Sequence, residues 1–105
     1  MAMRRLILAA SVLAVAASPG FAQDMLAGRE VAQRWCADCH LVAPGQATAS
    51  SDSVPTFMAI AARPNVTADA LRAFLAEPHG RMPPLVLSST DIDNMAAYIL
   101  SLRGK

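Results

Sequence analysis

The sequence predicts an all-α fold, and three observations carry that expectation. Apolar residues recur at helical spacing in several segments after residue 23. No stretch after Phe21 alternates apolar and polar residues as a strand would. Loops rich in Gly, Pro and Ser separate the periodic segments, and there are no internal repeats.

The first helix is expected from Asp24, as its N-cap, to the two cysteines, with Leu26, Gly28, Val31, Ala32 and Trp35 sharing one face. A glycine inside a helix costs about 1 kcal/mol against alanine, so Gly28 implies that another helix crosses closely there. Residues 41–54 carry Pro44-Gly45 and several Ser and Thr residues without periodicity and read as a loop. Pro55 is placed to open a short helix over 55–62, ended by Pro64. Thr67 caps a third helix over 68–77, with Leu71, Phe74 and Leu75 inward, and Pro78 stops it. Thr90-Asp91-Ile92-Asp93 resembles a capping box with Asp in the usual Glu position. The last helix would bury Ile92, Met95, Ala96, Ile99 and Leu102, with Arg103 at its negative end.

Residues 1–22 read as a secretory signal peptide rather than as part of the fold. Arg4 and Arg5 form a charged start, Leu6 to Ala17 is apolar, and Gly20-Phe21-Ala22 offers small residues for cleavage before Gln23. The apolar run of 12 residues spans about 18 Å as a helix, short of a hydrocarbon core of roughly 30 Å. Residues 23–105 are then one exported domain, without a stable membrane anchor. A core this small usually needs help from a metal, disulfides or a cofactor. Cleavage also takes two of the 9 basic residues and none of the 8 acidic ones, leaving a near-neutral chain without a basic cluster. Nucleic-acid binding has no support in such a charge pattern.

The only two cysteines stand in Trp35-Cys36-Ala37-Asp38-Cys39-His40. This C-x-x-C-H run is the attachment signature of a c-type haem. Two thiols three residues apart can each add to a vinyl group of one porphyrin, and the histidine after them is carried under the iron. A thioredoxin-like pair would need a βαβ context. A zinc site would have to use adjacent Cys39 and His40 together with Cys36 and His79. A structural disulfide over so short a loop would stabilise little.

An iron held by His40 has a second face, and electron carriers commonly fill it with a thioether. Of the methionines after residue 22, Met25, Met58 and Met95 fall on expected helices. Met82 instead sits in His79-Gly80-Arg81-Met82-Pro83-Pro84-Leu85, where the prolines restrict the backbone. Met82 is therefore the expected second axial ligand. His79 is the rival donor, three residues away, and is read instead as a surface or haem-edge histidine. Arg63, Arg72 and Arg81 are candidate partners of haem propionates, although solvated charges are the simpler reading for Arg63 and Arg72.

These motifs together resemble a small bacterial class I c-type cytochrome, monohaem and His/Met-ligated, over essentially residues 24–103. The resemblance rests on C-x-x-C-H near the start, Met-Pro in a late loop, and a closing helix with Tyr98-Ile99. It implies the small cytochrome c fold: four to five short helices wrapped around one covalently attached haem c, with the first and last helices crossing. It also implies that a proline carbonyl accepts a hydrogen bond from the ligand histidine, a role that Pro55 matches best and Pro44 next. The expected function is a periplasmic one-electron carrier, not an enzyme, cycling between ferric and ferrous iron and meeting redox donors and acceptors transiently. The alternatives are a haem subunit held in a periplasmic dehydrogenase complex, or an open-iron haem enzyme or gas sensor.

Overall fold

A computed structural model describes residues 11, 24–49, 53–79 and 85–105. The expected signal peptide, apart from Ser11, lies outside these residues, as do Arg81 and Met82. Four helices are present among the described residues and no strand: α1 (Met25–Trp35), α2 (Phe57–Ala61), α3 (Ala68–Leu75) and α4 (Ser89–Ser101). None of them is long and apolar enough to cross a membrane.

Helix α1 begins where a carboxylate can satisfy its orphan amides. Asp24 Oδ1 accepts from Leu26 N at 2.9 Å and Ala27 N at 3.1 Å. Its inner face is narrower than the sequence suggests. Gly28 and Ala32 are buried and Val31 is half-buried, whereas Leu26 is 72% exposed. Two residues of helix turn a side chain through about 200°, so Leu26 points away from Gly28. Trp35 shares the Gly28 stripe but lies about two turns beyond it, and it too is exposed.

Helix α2 starts two residues later than its proline implies. Pro55 stays in the loop and Thr56 is the N-cap, its hydroxyl accepting from Ala59 N at 3.0 Å. Thr67 caps α3 as expected. That helix ends at Leu75, two residues early, and Phe74 is exposed rather than inward. Leu71 is buried. Ser88, not Thr90, is the N-cap of α4: its hydroxyl accepts from Asp91 N at 3.0 Å, and Asp91 Oδ2 accepts from Ser88 N at 3.2 Å. The capping box therefore lies two residues earlier than the sequence reading put it, because Ser88 competes well for the same task. Asp93 serves Arg72 instead, at 2.8 Å.

The core forms around α4. Met95, Ala96, Tyr98, Ile99 and Leu102 are buried against Ala32, Val42, Phe57, Ala61 and Leu71, while Ile92 is only half-buried. Helices α1 and α4 make the closest crossing. A Cβ on Gly28 would stand 2.1 Å from the Asn94 carbonyl oxygen and 2.9 Å from Tyr98 Cβ, so only glycine fits. The same contact is pinned by the Asp24 N–H donating to Asn94 Oδ1 at 2.8 Å. Arg103 serves α2 and the loop after it: its guanidinium donates to the carbonyls of Ala61 and Val66.

Candidate functional site

The cysteine–histidine run continues α1 as a tight turn. Cys36 N donates to Ala32 O at 2.9 Å, and His40 N donates to Cys36 O at 2.8 Å. Cys36 and Cys39 stand as thiols rather than as a disulfide. Burial, and then the neighbouring Cys39, push the Cys36 thiol up to about 11. No group of three or more His, Cys, Asp or Glu among the described residues is arranged to hold a metal ion, which removes the four-ligand zinc arrangement.

Two contacts set the His40 ring, and a backbone bond ties down the residue after it. Its Nδ1 lies 2.7 Å from the Pro55 carbonyl oxygen. The tautomer with the proton on Nδ1 donates that bond and leaves Nε2 as the nitrogen with a lone pair. The Phe57 ring packs on His40 at 5.4 Å between centroids. Phe57 N also donates to Leu41 O at 2.9 Å, joining the start of α2 to the residue after the histidine.

Gln46 is the residue that sequence reasoning missed. Its Nε2 lies 3.1 Å from the carbonyls of Ala37 and His40 and 3.0 Å from that of Thr48, while Oε1 accepts from Val42 N at 2.9 Å. One amide thus satisfies backbone groups on both sides of His40. Nothing in a polar loop distinguishes this glutamine from a solvated one. Tyr98 closes the other side, its hydroxyl donating to Val42 O at 2.5 Å.

His79 faces the same region. Its ring stacks on Phe74 at 4.4 Å and 30°, and lies 6.3 Å from the His40 ring at 65°. Its Nδ1 is buried without a hydrogen-bond partner among the described residues. Burial, and then the nearby His40, lower its pKa, against a smaller opposing pull from the Glu77 backbone. Of the arginines, Arg72 is committed to Asp69 and Asp93, at 2.6 and 2.8 Å. Arg63 is exposed.

The structure thus brings together Cys36, Cys39, His40, Pro55 and His79 on elements that meet at the start of α2 and the end of α3. This donor set fits a haem. Two thiols lie one helical turn apart, one imidazole is oriented by a carbonyl, and a buried ring nitrogen finds no hydrogen-bond partner among the described residues. An all-helical protein built in this way falls in the class of c-type cytochromes.

Comparisons with known proteins agree. Residues 23–99 match the family described as cytochrome c oxidase, cbb3-type, subunit III. A cytochrome c-552 of Bradyrhizobium diazoefficiens is 50% identical over 94 residues, covering 88% of this chain and 89% of that protein. No solved structure matches. The chain belongs to this cytochrome c family. It is a monohaem c-type cytochrome, an electron carrier with a covalently attached haem c, and it works with redox partners.

Proposed function

We propose that the mature protein is a periplasmic carrier that moves single electrons between redox proteins, and that it is not an enzyme. In this reading Cys36 and Cys39 form the thioethers, and His40 and Met82 are the axial ligands. Residues 1–22 are the cleaved export signal. The observation that carries the ligand assignment is the 2.7 Å contact between His40 Nδ1 and the Pro55 carbonyl. Such a bond fixes the ring plane and raises the basicity of the other nitrogen, which is what a strong axial ligand requires.

The haem supplies a one-electron ferric/ferrous couple. The chain's own residues orient and seal it. Pro55 and Phe57 hold His40 in place, and Gln46 ties the turn that carries it. Phe57, Leu71, Met95 and Ile99 exclude water from the helical side. Met82, as a soft thioether, favours the reduced state, so a positive potential follows within the roughly 0.8 V range that axial ligands command. Partners meet such carriers over small, transient interfaces below about 1,200 Å².

The family description names an oxidase subunit, and this favours one other reading: a haem subunit held in a larger electron-transfer complex. The relative that is 50% identical is named a cytochrome c-552, and this favours the carrier reading.

Oxidised and reduced spectra of the mature chain, made with haem-attachment machinery, test the ligand set. Haem should stay with the polypeptide under denaturing conditions. The ferric protein should show the far-red charge-transfer band of an iron–sulfur bond, lost in Met82→Ala. A parent without that band refutes the His/Met assignment. Mass spectrometry of the exported protein reads the cleavage site, and co-purification of a stoichiometric partner would favour the subunit reading.

A further inference from the structure

His79 is the group that the proposed ligand set leaves unexplained. Two imidazoles bound on opposite sides of one metal, each by a bond of about 2 Å, have ring centroids about 6 Å apart. The His40 and His79 rings are 6.3 Å apart. Their 65° interplanar angle is compatible with this, because rotation about a metal–nitrogen axis leaves the centroid distance unchanged. The same ring carries a buried Nδ1 that has no hydrogen-bond partner among the described residues. Leaving a buried polar atom unpaired costs on the order of 1–3 kcal/mol, so the arrangement needs a reason.

Packing also prepares the ring. Phe74, exposed where the helical pattern puts it inward, stacks on His79 at 4.4 Å, while Phe57 packs on His40. The four rings form a file, Phe57–His40–His79–Phe74, in which each imidazole is backed by a phenyl group. Two histidines are brought together by segments far apart in sequence, the turn after α1 and the segment after α3.

We propose that His79 is a second donor for the iron face opposite His40, taking that face whenever the Met82 thioether does not hold it. This rests on the His/Met reading above. The exchange breaks one iron–sulfur bond and forms one iron–nitrogen bond, with no change in electron count and no proton released by a neutral imidazole. A ligand carried on the same chain competes at high effective concentration. His79 would therefore keep the iron closed to small molecules when the thioether is lost, at a lower potential, since imidazole stabilises ferric iron more than a thioether does.

The test compares full-length-processed holoprotein, with haem covalently attached, in four forms: parent, Met82→Ala, His79→Ala and the double variant. Ferric electron paramagnetic resonance, optical spectra and carbon monoxide binding to the reduced forms are the readouts. The expected result is that Met82→Ala loses the far-red band yet remains low-spin, whereas the double variant turns high-spin. If His79 occupies the iron nine-tenths of the time, carbon monoxide binds the double variant about tenfold more tightly than Met82→Ala. A Met82→Ala protein that is already high-spin, and that binds carbon monoxide as the double variant does, overturns the inference while the parent's band still upholds Met82. A low-spin parent without that band, opened by His79→Ala alone, refutes the Met82 reading and leaves His79 as the resident donor. Met82→Leu keeps the apolar volume and repeats the comparison should Met82→Ala lose its helical circular dichroism.

Discussion

The α1–α4 crossing and the face around His40 are built on opposite principles. At the crossing every requirement is met within the chain. Gly28 clears the Asn94 backbone, Ala32, Met95 and Ala96 are wholly buried, and the Asp24 amide finds Asn94. Around His40 the chain contributes oriented groups rather than a closed core: an imidazole set by Pro55, two thiols, and a histidine whose buried nitrogen finds no partner among the described residues. The first region is a fastening, tolerant of nothing larger than it holds. The second is a set of donors arranged for a haem. Stability should therefore be concentrated at the crossing and ligand chemistry at the face, and substitutions can separate the two.

The largest effect expected is from Gly28→Ala. The new methyl would meet a carbonyl oxygen at 2.1 Å, and backbone cannot yield as a side-chain tip can. Overpacking of this kind costs about 3 kcal/mol or more, read as a lower midpoint in urea. Haem that is attached should keep the parent's ligand bands while the protein remains folded. A neutral result would sink the picture of a closed crossing.

Gln46→Ala should come next, at about 2 kcal/mol, because it leaves several backbone groups around His40 unpaired. Unlike Gly28→Ala, it should also shift the reduction potential and the ferric spectrum. A stability loss without any spectral change would move Gln46 from the site to the scaffold.

Tyr98 links the two regions through Val42, and Tyr98→Phe should cost about 1 kcal/mol at neutral pH. Burial raises the Tyr98 pKa above its ordinary value of 10.0, with Arg29 opposing. The native state then keeps the proton that the unfolded chain gives up, so stability is full below about 10 and falls as pH rises beyond it. Tyr98→Phe should flatten that alkaline loss in urea titrations at several pH values. An unchanged slope would assign the alkaline dependence elsewhere.

The smallest effect is expected at Leu26. At 72% exposure it belongs to neither region, and Leu26→Gln should change stability by less than about 0.5 kcal/mol. A larger loss would show that the N-terminal turn of α1 packs on something beyond the crossing.

Much of this molecule was legible in the sequence because it depends on local chemistry. Asp24 and Thr67 act as caps since a short side-chain oxygen next to a helix start can reach only that helix's orphan amides. Met95, Ala96, Ile99 and Leu102 are buried because their spacing places them on one stripe. The C-x-x-C-H run and the helical spacing sufficed for haem attachment and an all-α class. Gly28 announced a close approach, since a helix bears its cost only where another backbone passes. Where the reading went astray, it used spacing alone to choose between neighbours: Leu26 for the inner face, Thr90 instead of Ser88, Phe74 inward instead of stacked on His79. Only the tertiary structure decided the contacts that join distant segments. Gln46 became the brace of the His40 turn, Pro55 stayed outside α2 with its carbonyl at His40, and the imidazoles of His40 and His79 came to face each other. Local preference follows from a few adjacent torsions, whereas these partners are chosen by where whole helices dock, and no short window of sequence contains that information.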